Sequence, residues 1–280
     1  DIKNEKLRFV GEPEKRLAED KLRALRYIRF LFKTGFKEDD KAKIAIKNLA
    51  PEINQLPSER IIDELNKTVA VTDNNLGRIL EYYKDFGLLE KILPEIADLE
   101  KCPQGPPYHM EGDVFKHTVM VLNNLPAKPS LELFLAATMH DIAKPDTRQE
   151  QPDAKVSFHG HDKLGAEKVK PILKRLKLSS KSQEKIIELI ANHIKIFLFL
   201  QMKNSKALEM AKSPNFPDQI ALLKADNAGT KPLNEETKKK TNEMIKKIIK
   251  SYNKIIAKQK KFSNEKDIIK KATNGNKIIK

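Results

Sequence analysis

The sequence predicts an all-α protein built from many helices. Its 280 residues include only 10 Gly and no Trp, and 33% of them are charged against 39% hydrophobic. Apolar residues recur at the three- to four-residue spacing of amphipathic helices. The regularly spaced, Gly-punctuated short strands of a sandwich or propeller are missing, so we exclude an all-β fold. This length allows one large or two ordinary domains.

The N-terminal third is predicted to contain four or five helices. The first begins at Pro13 and ends at Gly35, the second ends at Pro51, and Ser58 is the candidate N-cap of the third. The predicted ranges are, in order, 13–35, 40–50, a helix from residue 58, and one or two helices within 72–89.

A segment rich in Pro and Gly between residues 94 and 113 interrupts helix and strand alike, so we place a domain junction there. Helices are predicted after it at 114–124, 130–142, 162–176, 180–200, 204–211 and 216–226, with a short strand pair or a loop at 151–159 and one long Lys-rich helix over the last fifty residues. We therefore divide the chain into residues 1–93, residues 94–230 and a tail, 231–280.

Cysteine content and hydropathy favour a cytoplasmic protein. The single cysteine, Cys102, cannot form an intrachain disulfide or a Cys-rich zinc site, which favours a reducing compartment. The most apolar runs are far shorter than the roughly 20 residues that span a bilayer. The polar N-terminus lacks the apolar core of a signal peptide. No membrane segment is predicted.

The positive charge is concentrated at the two ends of the chain. The formal charge is +15, and residues 231–280 contain sixteen Lys against five acids. Five of the nine Arg lie in the first thirty residues, where their rigid forked donors suit phosphate or base edges. Both ends suggest an anionic partner, although the Lys tail could equally be a solvated helix face.

Six histidines fall within 85 residues, and the doublet His140-Asp141 ends an apolar helix. Burying such polar groups needs a reason, and a divalent metal supplies one because imidazole and carboxylate are suitable ligands. His117 on the preceding helix and Asp226 after another apolar run are candidates to complete the shell. We therefore predict a metal site that takes Mg, Mn, Ni or Co.

The order of these residues resembles the metal-dependent HD-domain phosphohydrolase superfamily. The resemblance implies a first metal held by the first histidine, the doublet and the last aspartate, and a second metal held by the histidines between them. The corresponding residues are His117, His140, Asp141 and Asp226 for the first metal, and His161 and His193 for the second.

Phosphoester hydrolysis is the predicted chemistry. Asp141 belongs to the catalytic metal site, and Lys144 follows the doublet closely enough to neutralise a phosphate oxygen beside it. Arg148 is a second candidate for stabilising developing charge, and a solvated loop position is equally compatible with its sequence context. His109 and His159 lie in loops, where three alternatives stay open: contact with the metal ligands, contact with the substrate, or a plain surface position.

The N-terminal arginine segment has two interpretations. Asp20 and Arg23 are three residues apart, which on one helix face could read the edge of a nucleobase or could form an ordinary ion pair. The segment resembles the neck of class II tRNA nucleotidyltransferases and bacterial poly(A) polymerases, whose Glu-Asp-x-x-Arg motif selects CTP or ATP. The resemblance assigns nucleotide binding to Glu19, Asp20 and Arg23, and we add Arg26 and Arg29 as RNA-binding candidates.

Further matches to this family extend to about residue 230. They include Asp1 with Arg8, Glu59-Arg60-Ile61 with Glu64 and Lys67, Gly87-Leu88-Leu89, Tyr108 to Asp113, and Phe158 to Asp162, whereas Ala143 replaces the Gly usual after the His-Asp-Ile phrase. The resemblance implies tRNA or another RNA 3′ end as partner. It also implies hydrolysis of 2′,3′-cyclic phosphate or 2′-phosphate at the HD site.

The family's catalytic head is expected to precede Asp1, upstream or as a separate domain, so nucleotidyl transfer is predicted only when that head is supplied. Two alternatives stay open. One is a non-catalytic RNA-binding fragment or subunit with a relic HD domain. The other is an HD hydrolase of small nucleotides that is unrelated to RNA.

Overall fold

The computed structural model describes residues 4–105, 109–150, 155–231 and 234–275, with side chains described as far as residue 259. Helices dominate these residues, and the two strands among them form one antiparallel pair. The all-α prediction is confirmed. Asp1 and Tyr108, which contribute to the family resemblance, lie outside the described residues, as do residues 151–154 of the predicted strand pair or loop.

The N-terminal part consists of seven helices and two short 3-10 turns over the described residues. They are α1 (Pro13–Glu19), α2 (Arg23–Thr34), α3 (Asp40–Leu49), a 3-10 turn (Ala50–Gln55), α4 (Ser58–Val71), α5 (Gly77–Asp85), α6 (Leu89–Ile92), α7 (Pro94–Ala97) and a second 3-10 turn (Asp98–Lys101). Helix α2 packs along α4, and α1 packs against α3.

The single helix predicted over residues 13–35 is wrong at its centre. Asp20 has an extended backbone (φ −152°, ψ 104°), and its Oδ1 accepts a hydrogen bond from the Leu22 N–H at 3.1 Å. The Leu22 N–H thus bonds to a side chain and not to a backbone carbonyl of the preceding helical turn, which separates α1 from α2. The predicted end is confirmed, because Gly35 adopts the left-handed conformation (φ 68°) and donates to the Leu31 carbonyl.

Two other predicted helix starts also differ from the structure. Ser58 is the first helical residue of α4 and not its N-cap, a position that Pro57 occupies without a side-chain bond. The segment from Thr72 is not helical at its start, because Thr72 ends α4 by donating its N–H to Val69 O, and α5 begins only at Gly77.

The C-terminal part follows the predicted order. It contains α8 (Val114–Asn123), α9 (Leu131–Met139), α10 (Lys144–Thr147), β1 (Gln149–Glu150), β2 (Val156–Ser157), α11 (His161–Arg175), α12 (Ser180–Asn192), a 3-10 segment (Lys195–Gln201), α13 (Asn204–Lys212), α14 (Phe216–Gly229) and α15 (Glu235–Gly275). Helices α8, α9 and α12 are shorter, and α13 and α14 longer, than predicted. Strands β1 and β2 pair antiparallel, but only β2 lies within the range 151–159 predicted to form a strand pair or a loop, because β1 precedes it. The helix predicted over 180–200 ends at Asn192, where His193 takes the C-cap position.

Two apolar cores stabilise the described chain. The larger runs from Leu17 on α1 to Ala225 on α14, and the smaller joins α13, α14 and the 3-10 segment 195–201 to Ile245 and Ile248 of α15. The predicted divisions after residues 93 and 230 remain predictions. No described helix is both long and apolar enough to cross a membrane.

Helix α8 is central to the larger core and packs against α5, α9 and α14. Helix α14 approaches α8 closely at Gly229, where an added Cβ would lie 2.9 Å from the Val121 backbone nitrogen. A glycine is therefore what allows these two backbones to come so near. The close approach holds the polar side chains of α8 and α14 side by side.

Candidate metal centre

Helix ends deliver most of the predicted metal ligands to one place. His140 and His193 occupy the C-cap positions of α9 and α12, and His161 is the first residue of α11. His117 lies within α8 and Asp226 within α14. Chains change direction at helix ends, so side chains there can converge even though their neighbours on the helix point elsewhere.

The four residues predicted for the first metal are brought together. His117 Nε2 lies 3.1 Å from Asp226 Oδ1, 3.4 Å from His140 Nε2 and 3.5 Å from Asp141 Oδ2. His140 Nε2 lies 3.1 Å from Asp141 Oδ2. Two imidazoles and two carboxylates thus face one small volume, as the sequence analysis predicted.

The two residues predicted for a second metal lie next to the first group. His161 Nε2 is 3.1 Å from His193 Nε2, and these atoms are 3.2 Å and 3.8 Å from Asp141 Oδ1. Asp141 therefore directs one carboxylate oxygen at each group. A carboxylate in this position can bridge two cations.

Backbone carbonyls orient three of the four rings. His140 Nδ1 lies 2.9 Å from the Ala137 carbonyl oxygen. His161 Nδ1 and His193 Nδ1 each lie 2.6 Å from a carbonyl oxygen, that of Phe158 and that of Ile190 respectively. Only an Nδ1–H can donate to a carbonyl, so in the neutral ring Nε2 carries the lone pair. Two such nitrogens 3.1 Å apart need a proton or a metal cation between them, and this donor set suits a cation.

The pKa values of Asp141, Asp226 and His193 suit a bound cation. Burial raises the pKa of Asp141, but His140 and Lys144 outweigh it and hold that pKa well below its usual value. Burial likewise opposes ionisation of Asp226, yet its hydrogen bond with His117 keeps the pKa low. Burial and the neighbouring His140 lower the pKa of His193 to about 4, so this ring is neutral at pH 7. Ionised carboxylates and neutral imidazole are the protonation states that metals require.

Glu111, to which the sequence analysis gave no individual role, contacts two of the histidines. Its Oε1 lies 2.9 Å from Nδ1 of His117 and 2.7 Å from Nδ1 of His109, and its side chain is fully buried. Burial lowers the pKa of His117, but Asp226 and Glu111 beside it raise that pKa to about 9, so a metal ion would have to displace a proton from this ring at pH 7. A carboxylate behind a metal-binding histidine fixes the ring orientation. In the sequence, the only indication of this contact was that Glu111 lies six residues before His117.

Lys144 lies at the centre, as predicted. Its buried ammonium is 2.7 Å from Asp141 Oδ2, donates to Gln104 Oε1 at 2.6 Å and lies 3.4 Å from His109 Nε2. Gln104, from the Pro/Gly-rich segment, is a second contributor without a predicted role. Three contacts thus fix the ammonium group of Lys144 beside Asp141.

A cavity of about 590 Å³ opens onto this cluster, and its lining includes Lys144, His109 and His159. His109 also contacts Glu111, and His159 is exposed, so the alternatives for these two loop histidines stay open. Arg148 is not among the described residues that line the cavity. Its guanidinium donates to Pro103 O at 3.0 Å and pairs with Glu150 at 2.6 Å. The geometry thus gives Arg148 no contact with the cluster.

The neck residues form ion pairs outside this cavity. Arg23 pairs with Glu19 at 2.5 Å and also donates to the Arg16 carbonyl, so the expected pairing of Asp20 with Arg23 is not found. Asp20 instead pairs with Arg26 at 3.1 Å, because the break between α1 and α2 turns its carboxylate toward that residue.

Arg29 binds the buried carboxylate of Glu64, and Arg26 Nε lies 3.9 Å from the same group. Glu64 is only 1% exposed. These two arginines therefore join α2 to α4, and this contact has a structural function whatever else they bind.

Two family models match the chain. The HD domain model covers residues 114–212, and the model described as a probable RNA and SrmB binding site of polymerase A covers residues 35–100. The first contains five of the six predicted metal ligands, and the second contains α4 and α5.

Curated relatives and a solved structure extend the match. An A-adding tRNA nucleotidyltransferase from Deinococcus radiodurans is 32% identical over 235 residues, which is 81% of this chain and 52% of the relative. A multifunctional CCA protein from Neisseria gonorrhoeae is 32% identical over 199 residues, 70% of this chain and 47% of the relative. The chain thus spans about half the length of these relatives.

A structure of a CCA-adding enzyme with ATP aligns with a TM-score of 0.53 at 15% identity, over 90% of this chain and 50% of that one, which shows a shared fold. The sequence relatives and the two family models show descent as well as fold. The chain is homologous to the tRNA nucleotidyltransferases, and it contains matches to the HD domain and to the probable RNA and SrmB binding site of polymerase A.

Proposed function

We propose that this chain hydrolyses phosphoesters at the His/Asp cluster and that its substrates are RNA 3′ ends carrying a 2′,3′-cyclic phosphate or a 2′-phosphate. The observation that carries the proposal is the position of Asp141, whose two oxygens face two groups of imidazole nitrogens on the wall of an open cavity. The ammonium group of Lys144 lies 2.7 Å from Asp141 Oδ2 and adds a positive charge there.

The donor set fits a divalent metal such as Mg, Mn, Ni or Co, with His117, His140, Asp141 and Asp226 as one set of ligands and His161, His193 and Asp141 as another. A bound divalent ion supplies Lewis-acid activation of water and of the phosphoryl group. Glu111 and the carbonyls behind the rings hold the imidazoles in place, which removes the cost of reorganising them during the reaction.

In the reaction, water adds its hydroxyl to phosphorus, and the bond from phosphorus to one ribose oxygen breaks. The proton of the water ends on the released ribose oxygen. A cyclic phosphate gives a phosphomonoester, and a 2′-phosphate gives inorganic phosphate and a free hydroxyl. Lys144 stabilises the negative charge that grows on the phosphoryl oxygens, because its ammonium is fixed and shielded from solvent.

The neck and body have a separate role in this proposal. Glu19, Asp20 and Arg23 bind CTP or ATP, and Arg26 and Arg29 contribute to binding tRNA. The names of the relatives and the match to an RNA-binding model support this assignment. Nucleotidyl transfer belongs to the proposal only for a protein in which a head domain, upstream or separate, supplies the catalytic carboxylates.

The test is metal-dependent hydrolysis of 2′,3′-cyclic AMP by the purified chain across Mg, Mn, Co and Ni, with Asp141→Ala as the inactive variant. Arg148→Ala is the matched control, because its side chain touches none of the described groups of the cluster. We expect turnover that Asp141→Ala abolishes and Arg148→Ala leaves nearly unchanged. No turnover with any ion would contradict the proposal and favour a non-catalytic RNA-binding role.

A further inference from the structure

The first turns of the Lys-rich helix α15 form one wall of the cavity. Thr237, Thr241 and Met244 line it at the four- and three-residue spacing of one helix face, and Lys238 lies beside them. This helix lies beyond residue 212, where the match to the HD domain model ends. The wall is therefore a feature of this chain that the domain match does not include.

This wall is held firmly against the rest of the chain. Ile245 and Ile248 are buried in the smaller core, and the ring of Tyr252 packs on Phe216 with centroids 4.7 Å apart. Asn227, the neighbour of Asp226, donates to Asn242 Oδ1 at 2.7 Å. These contacts fix α15 relative to the helix that carries a predicted metal ligand.

Lys238 differs from the two lysines that follow it. Lys239 is exposed, and Lys240 pairs with Glu236 at 2.6 Å. Lys238 is half-buried in the cavity wall, and no carboxylate in the described part of the chain pairs with it. A lysine that gives up part of its hydration without an acidic partner is suited to an anion from outside the protein.

Most of the other charged groups that line the cavity already have a partner within the protein. Lys144 pairs with Asp141, and Asp226 pairs with His117, so the cation for the reacting phosphate is assigned. Asp162 also lines the cavity, so its acidic and basic lining consists of three aspartates and two lysines. Lys238 is the lysine of this lining that remains available to a second anionic group on the substrate.

Apolar side chains occupy the remaining lining, chiefly Phe158, Ile194, Phe197 and Met244. Nucleobases stack on such surfaces without needing a sequence-specific pattern of hydrogen bonds. One cavity thus combines a site for a reacting phosphate, a surface for a base and a cation for another phosphate. That combination matches a nucleotide chain end better than an isolated nucleoside.

We propose that Lys238 binds the phosphodiester on the 5′ side of the terminal nucleotide, so that the cavity selects RNA 3′ ends over mononucleosides with the same terminal phosphate. This inference rests on the proposed function. It makes the beginning of the Lys-rich tail a part of the substrate site, whereas the exposed lysines of the tail need not contact the substrate.

The test compares two substrates with the same reacting group. One is 2′,3′-cyclic AMP, and the other is the diadenosine dinucleotide that ends in a 2′,3′-cyclic phosphate and has one internal phosphodiester. In Lys238→Ala we expect KM for the dinucleotide to rise roughly tenfold, as the loss of one charged contact implies, with kcat retained. KM for cyclic AMP should stay unchanged. The control Lys239→Ala should match the wild type with both substrates.

Calorimetric binding separates this inference from the hydrolysis proposal. The ligands are the diadenosine dinucleotide with a 3′-phosphate and 3′-AMP, and we expect Lys238→Ala to weaken only the dinucleotide. If the chain lacks turnover but shows this pattern, hydrolysis is refuted and the inference stands. If the two lysine variants behave alike, if both ligands weaken equally, or if the wild type does not bind the dinucleotide, the inference is overturned.

Discussion

The close approach of α14 to α8 predicts that adding one methyl group at Gly229 disturbs the metal centre. A Cβ there would lie 2.9 Å from Val121 N and 3.2 Å from the Met120 carbonyl carbon, which are backbone atoms that cannot rotate away. Restoring an ordinary contact of 3.4 Å requires a displacement of about 0.5 Å between the helices. Asp226 lies one turn before Gly229 and faces His117 on α8.

The expected size follows from two opposing effects. Overpacking costs about 1–3 kcal/mol. Replacing Gly by Ala returns less than the interior value of about 1 kcal/mol, because Gly229 is the last residue of α14. We therefore expect Gly229→Ala to lower the free energy of unfolding by about 1 kcal/mol. Metal ligation tolerates errors of only about 0.2 Å, so the displacement should also weaken metal binding roughly tenfold.

Urea denaturation and calorimetric titration with Mn²⁺ measure the two effects. The control is Lys224→Ala, which raises helix propensity on an exposed face of the same helix. This variant should keep the affinity for Mn²⁺. Unchanged Mn²⁺ affinity together with unchanged or increased stability in Gly229→Ala would refute the argument that this glycine positions Asp226.

Two further predictions concern buried charges. Arg29→Met should lower the free energy of unfolding by about 3 kcal/mol in urea denaturation, because among the described residues it leaves the buried Glu64 with Arg26 as its ion-pair partner. The exposed control Lys47→Met should change the stability little. Equal stabilities of the two variants would show that the ion pair contributes nothing. Glu111→Gln should weaken Mn²⁺ binding by about 10- to 100-fold, because His117 loses the carboxylate behind it. Retention of wild-type affinity would assign Glu111 no role in orienting the ring.

The predicted metal ligands drew on a signal that is local and chemical. A His-Asp doublet at the end of an apolar helix buries polar groups that a cation would stabilise, whereas a single buried histidine is more often a hydrogen-bonded core residue. The fold class was predictable for a similar reason, since helical periodicity extends over most of the chain. The position of Asp141 between two groups of imidazoles was not predictable, because it depends on how α9, α11 and α12 meet in space.

The errors have identifiable physical causes. Leu17 and Leu22 are both buried, so apolar spacing continues across the break at Asp20, and only the side-chain hydrogen bond reveals it. Glu111 lies in a Pro/Gly-rich segment, where no period indicates which side chains point inward. Lys238 stands in a run of three lysines that differ only in how α15 packs.

The stoichiometry of metal binding tests the central claim, that Asp141 joins two metal sites, most directly. Equilibrium dialysis against Mn²⁺ with elemental analysis should give two ions per wild-type chain. His193→Ala should retain one ion, and Asp141→Asn should retain fewer than one, because each group of imidazoles loses its shared carboxylate oxygen. Two tightly bound ions in Asp141→Asn, or none in the wild type, would contradict the account.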